Sequence, residues 1–197
     1  MEWGVASRAH KGQAESADRH LIRIEPDYAL VAAVDGLGHG EEAASAAVTA
    51  IQTLEGASDR SILALLNQCH ERLLATRGVV MSVAMINTVD STVTWAGVGN
   101  VEGFLLRADS DASPQYESLL MRNGVVGARM PLIHAALLPI MPGDTLIFST
   151  DGIRSDFKKT LTSGQHPQQI ADRIMTQSHK GTDDALVLVV RYCGGAA

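Results

Sequence analysis

Three short runs in the 197-residue chain are almost unbroken by polar residues, and each meets an aspartate at one end. Ala29-Leu30-Val31-Ala32-Ala33-Val34 runs into Asp35-Gly36, and Leu146-Ile147-Phe148-Ser149-Thr150 runs into Asp151-Gly152. Asp183-Asp184 opens Ala185-Leu186-Val187-Leu188-Val189-Val190. Short apolar runs bounded by Gly, Asp, Asn or Pro are strand signatures. Further runs of this kind lie at Met81–Val89, Thr92–Val98, Gly103–Arg107 and Tyr116–Arg122, and Leu21–Ile24 offers a first strand. Val89–Thr92 reads as a hairpin turn, and Pro142-Gly143-Asp144 as a turn feeding the strand at Thr145. Helical periodicity appears at Glu41–Leu54, Ser61–Thr76 and Pro167–Ser178. Strands, two helices, many consecutive strands, one helix and a last strand do not alternate β and α. The expected fold class is therefore α+β, a central antiparallel β-sandwich flanked by helices, rather than a doubly wound parallel sheet.

Composition narrows the functional classes. Hydrophobic residues make up 46% of the chain, too many for a disordered protein. Sixteen Lys and Arg against 22 Asp and Glu give a net charge of −6, which argues against a general nucleic-acid surface. Two cysteines, Cys69 and Cys193, make no disulfide framework, and neither sits in a nucleophile motif. No signal-peptide pattern opens the chain and no apolar run approaches the roughly 20 residues of a spanning helix. The expectation is a cytoplasmic protein with no membrane or nucleic-acid partner. Residues 1–193 are expected to form a single domain and 194–197 a short flexible tail.

Carboxylates at the ends of apolar strands repel one another and lose hydration. If Asp18, Asp35, Asp151 and Asp183 converge, they need a cation, and hard oxygen donors favour Mg²⁺ or Mn²⁺. Two such ions bridged by a carboxylate activate a water for phosphoester displacement. The competing reading of each Asp-Gly pair is a plain turn. The loop Asp35-Gly36-Leu37-Gly38-His39-Gly40 joins a buried strand to a helix starting near Glu41. It lacks the Gly-Lys-Ser/Thr ending of a Walker loop and the spacing of a dinucleotide fingerprint. Glu41 and Glu42 would repel a bound phosphate, so the loop favours a metal bound by Asp35.

Four ordered motifs carry a family resemblance: Asp35–Gly40, Ala96-Gly97-Val98-Gly99-Asn100-Val101, Pro142–Ile153 and Asp183-Asp184-Ala185-Leu186. Together they resemble the bacterial branch of the metal-dependent, type 2C-like serine/threonine protein phosphatases, the branch of SpoIIE and RsbX. The short chain is most similar to the stressosome phosphatase RsbX. The resemblance implies an α-β-β-α four-layer sandwich with two Mn²⁺ or Mg²⁺ ions at one end. It implies that Asp35 bridges the metals, that the Gly36 carbonyl, Asp151 and Asp183 are further ligands, and that Asp18 orients water. Ala17 stands where the branch usually has Gly before that aspartate. Arg8 and Lys11 are the candidates for gripping phosphate. His39 either donates a proton to the leaving oxygen or stabilises its loop by a hydrogen bond, and Asn100 reads as a turn-former. The implied activity is hydrolysis of phosphoserine or phosphothreonine on partner proteins, such as STAS-domain stressosome proteins of a stress-response pathway. The alternatives are a non-catalytic phosphatase-like binding module and a two-metal phosphohydrolase of small molecules.

Overall fold

The computed structural model describes residues 1–194 except Ala14 and Ser163. Of the expected tail, residues 195–197 lie outside the described residues. Among the described residues, eleven strands form two sheets. The first sheet holds β1 (Glu2–Arg8), β11 (Ala185–Arg191), β10 (Thr145–Ser149), β6 (Glu102–Leu106) and β7 (Tyr116–Ser118) in that order. The second holds β2 (Asp18–Ile24), β3 (Tyr28–Gly36), β4 (Val79–Asn87), β5 (Thr92–Val98) and β8 (Met121–Arg122), with β9 (Ala136–Pro139) also pairing β5. All pairings are antiparallel except β5 with β8.

The unbroken apolar runs follow from burial on both faces. In β3, Ala29, Val31 and Ala33 face the interior between the sheets, whereas Leu30, Ala32 and Val34 face α1 (Glu41–Gly56) and α2 (Ile62–Leu73). In β11, Leu186, Leu188 and Val190 face that same interior, while Ala185, Val187 and Val189 meet Ile170, Ala171 and Ile174 of α3 (Pro167–Ser178). Side chains alternate across a strand, so a strand covered on both faces has no polar side to show. The result is the four layers expected: helices, sheet, sheet, helix. Ala43, Ala46, Ala47 and Ala50 let α1 lie close to its sheet, and Glu41 and Glu42 in its first turn suit the helix dipole. Among the described residues, no helix is long and apolar enough to cross a membrane.

Four elements differ from the expectation, among them the short strand β9, whose residues are mostly exposed and so show no buried run. The Tyr116–Arg122 run is two strands, because the chain leaves the first sheet after Ser118 and joins the second at Met121. Strand β1 buries only Gly4 and Ala6 fully and exposes Trp3, so it carries no apolar signal. A 3₁₀ segment at Ser155–Thr160 follows the Asp151 turn.

As an edge strand, β1 leaves backbone groups open to a stray partner. Gln168 of α3 closes part of that edge: its Oε1 accepts the Val5 N–H at 3.0 Å and its Nε2 donates to the Val5 carbonyl at 2.8 Å. Gln168→Ala is expected to destabilise the fold by about 1–3 kcal/mol, the cost of losing two part-buried hydrogen bonds. Urea unfolding followed by circular dichroism would measure it.

Candidate active site

Sheet register delivers the acids to one end of the sandwich. Asp18 and Asp35 are direct cross-strand partners at the start of β2 and near the end of β3. Asp35 shares the parity of Val31 and Ala33, so both carboxylates project on the interior side of their sheet. From the other sheet, Asp151 follows β10 and Asp183 precedes β11. Asp35, Asp151 and Asp183 line one cavity of about 590 Å³, together with His39 and the backbone of Gly38 and Gly99. Asp18 is 3% exposed and lies beneath, outside the lining. The two sheets are tied here by Thr150, whose Oγ1 donates to Asp18 Oδ2 at 2.7 Å and accepts the Leu186 N–H at 2.8 Å.

The glycines of both Asp-Gly pairs serve close packing, and neither has a positive φ. A Cβ on Gly36 would stand 2.1 Å from the Ala43 carbonyl oxygen of α1, and one on Gly152 would stand 1.9 Å from that of Asp184. Any side chain at either position would push apart the elements that position the acids. Gly36 is moreover the last residue of β3, not part of a turn.

Electrostatics show the strain of the arrangement. Burial, and then the charges of Asp18, Asp151 and Asp183, push the Asp35 carboxyl up to about 8. Burial likewise raises Asp18 to about 7, against the Thr150 hydrogen bond and with help from Asp184, Asp151 and Asp183. Asp151 is raised by burial and by Asp183, and held back by Lys180 and by Asn100. Asn100 is thus more than a turn-former: its Nδ2 donates to Asp151 Oδ2 at 2.9 Å. Among the described residues, no three His, Cys, Asp or Glu side chains are already drawn into one closed ligand set, as expected of acids that repel one another.

Arg8 ends β1 opposite Ala185, near the site but exposed, and Lys11 is exposed in the β1–β2 connection. Neither lines the cavity. That connection contributes His10 and Gln13 instead, and the β8 side contributes Asn123 and Gly124. None of the four stands in a motif, and Asn123-Gly124 after the Tyr116–Arg122 run is indistinguishable from a plain turn. Cys69, a residue of α2, is buried in the core facing α1, its thiol pushed up to about 12 by burial, as expected of a packing residue.

A four-layer sandwich with an acidic cavity at the sheet ends is the architecture of the type 2C-like phosphatases, and three comparisons agree. The family described as Stage II sporulation protein E (SpoIIE) matches residues 25–192. The phosphoserine phosphatase RsbX of Bacillus subtilis (strain 168) is 23% identical over 177 residues, covering 88% of this chain and 86% of that protein. Among solved structures, one from work on the bacterial stressosome as a modular system adapted to control secondary messenger signalling superposes with a TM-score of 0.87. It is 25% identical and covers 96% of this chain and 98% of its own. RsbX in complex with magnesium superposes with a TM-score of 0.84 at 20% identity, over 94% of this chain and 92% of that one. The chain belongs to the SpoIIE family of type 2C-like protein serine/threonine phosphatases.

The raised carboxyls fix a direction for pH dependence. A group that keeps its proton in the fold but loses it in the unfolded chain makes folding take up protons, so stability falls as pH rises. For Asp35 the window runs from the ordinary value of 3.8 to about 8. In chelator-treated protein the unfolding midpoint is expected to fall by several degrees between about pH 6 and about pH 9. Asp35→Asn is expected to flatten that slope, as scanning calorimetry would show.

Proposed function

We propose that residues 1–193 act as a single, cytoplasmic, divalent-metal-dependent phosphatase domain that removes phosphate from phosphoserine or phosphothreonine on proteins of a stress-response partner-switching pathway. The observation that carries this reading is the meeting of Asp35, Asp151 and Asp183 at one cavity, with Asp18 the direct cross-strand partner of Asp35. The donor set fits hard cations: mutually repelling carboxylate oxygens, from buried Asp18 through half-buried Asp35 and Asp151 to exposed Asp183, with no thiol and no ion-paired lysine among them. Asp35, Asp151, Asp183, Asp18 and the Gly36 carbonyl would hold two Mn²⁺ or Mg²⁺ ions. Such ions supply charge neutralisation, Lewis acidity toward the phosphoryl group and activation of water.

The chain's own groups do the rest. Asn100 fixes one oxygen of Asp151 and leaves the other free to ligate. Thr150 fixes the rotamer of Asp18 from the opposite sheet. His39, which lines the cavity, would hand a proton to the departing serine or threonine oxygen. Arg8 and Lys11, exposed and outside the cavity lining, would grip phosphate on a substrate that spreads beyond the cavity. RsbX is by name a phosphoserine phosphatase, and the fold is shared with a stressosome structure, which supports phosphoproteins of that kind, such as STAS-domain proteins, as substrates.

Phosphate release from a phosphoserine protein, with and without Mn²⁺ or Mg²⁺, tests the reading. Activity is expected only with the metal, and Asp35→Asn is expected to lower kcat by roughly 10²–10³-fold while the circular dichroism spectrum stays native. Full activity in chelator, or in Asp35→Asn, would refute it. Partner binding without turnover would favour the non-catalytic module. Asn100→Ala, which only frees an oxygen of Asp151, is expected to weaken Mn²⁺ binding about 10-fold in calorimetry.

A further inference from the structure

Asp183 and Asp184 are neighbours in sequence with opposite surroundings. Asp183 lines the cavity, whereas Asp184 is 5% exposed and does not. Asp184 Oδ1 accepts the N–H of His10 and its Oδ2 accepts the N–H of Ala17, both at 2.6 Å. These partners lie 174 and 167 positions away. They are the two ends of the connection between β1, which stops at Arg8, and β2, which starts at Asp18. One carboxylate therefore pins the mouth of that connection against the start of β11.

The pinned segment also reaches the other sheet. Gln13 Oε1 accepts the Gly40 N–H at 3.2 Å, at the N-terminus of α1. The Ala17 carbonyl accepts the Gly36 N–H at 3.1 Å. The described residues of segment 10–17, which are 10–13 and 15–17, are thus strapped across the sandwich end, with His10 and Gln13 lining the cavity beside Asp35, His39 and Asp183. Hydrogen bonds from main-chain N–H to a carboxylate are short and about twice as strong as neutral ones. A charge as buried as Asp184 demands such partners.

We infer that Asp184 is a positioning residue: by its bonds to His10 and Ala17 it holds the described residues of segment 10–17 as the wall against which the phosphorylated substrate docks, and so sets substrate affinity rather than the chemical step. The kinetic part of this inference rests on the phosphatase reading, and the structural part does not. Asp184→Asn keeps the size of the side chain but turns an N–H₂ group toward one of the two main-chain donors.

The expected result has three parts. Amide exchange within 10–17 rises about 10-fold or more while the strands stay protected. KM for a phosphoserine peptide rises several-fold with kcat within about twofold, the pattern of lost ground-state binding. Mn²⁺ affinity, read by calorimetry, stays within about twofold, because no ligand has been removed. Unchanged exchange in 10–17 would overturn the inference. So would a fall in kcat at constant KM, or a loss of Mn²⁺ affinity, which would make Asp184 a ligand.

If Asp184→Asn does not fold, the unaltered protein still decides. The amides of His10 and Ala17, which lie outside any strand, must exchange slowly, and fast exchange at either sinks the proposal. An unaltered protein without phosphatase activity would sink the functional reading instead, and the exchange measurements would still report on Asp184.

Discussion

Asp18 and Asp35 oppose each other across adjacent strands, on the side of the sheet that faces the sandwich interior. Like charges in direct cross-strand register destabilise a sheet even in water, and here both are largely buried. Holding them ionised against carboxyl values raised to about 7 and about 8 costs the fold several kcal/mol. The surrounding structure has to offset that. It does so with strands apolar on both faces, a closely packed α1, and an inter-sheet hydrogen bond from Thr150 placed at the point of greatest repulsion. A cluster that weakens the fold and is yet supported from both sheets marks where function has been traded against stability.

The parts of this design that were legible in the sequence are those that depend on strand pattern. Burial on both faces leaves an unbroken apolar run, so β3, β10 and β11 declared themselves, and the aspartates at their ends came with them. Covered strands need helices outside, which gave the layers. Strand β1 was illegible for the same physical reason in reverse: its buried face is Gly4 and Ala6, and its edge is closed by Gln168, a residue no pattern connects to it. The Tyr116–Arg122 run misled because periodicity has no way to say that a chain changes sheets at Leu119-Leu120.

Side-chain roles within the site divide along a similar line. Asp35, Asp151 and Asp183 were found because each stands beside a strand. Thr150 was not, although it adjoins Asp151, because its function is a bond to a residue 132 positions away. The Asp-Gly pairs carry a subtler lesson. A turn explanation accounts for glycine after aspartate, but Gly36 and Gly152 have ordinary φ angles and owe their identity to carbonyl oxygens packed against them. The same dipeptide signature therefore has a different cause, visible only once α1 and the Asp183-Asp184 segment are in place.

Those two contacts also explain why the acids stay together without relying on one another. Gly36 binds the end of β3 to the first turn of α1, and Gly152 binds the turn after β10 to the entry of β11. Each carboxylate is thus carried by a backbone junction packed too tightly to relax, and repulsion cannot be relieved by drifting apart. Asp184 extends the same logic. Its backbone closes on Gly152 while its side chain grips His10 and Ala17. One residue therefore links the Asp151 turn, the Asp183 strand entry and the segment leading to Asp18. The site's rigidity resides in that backbone-anchored residue, and its charge in the neighbours that face the cavity.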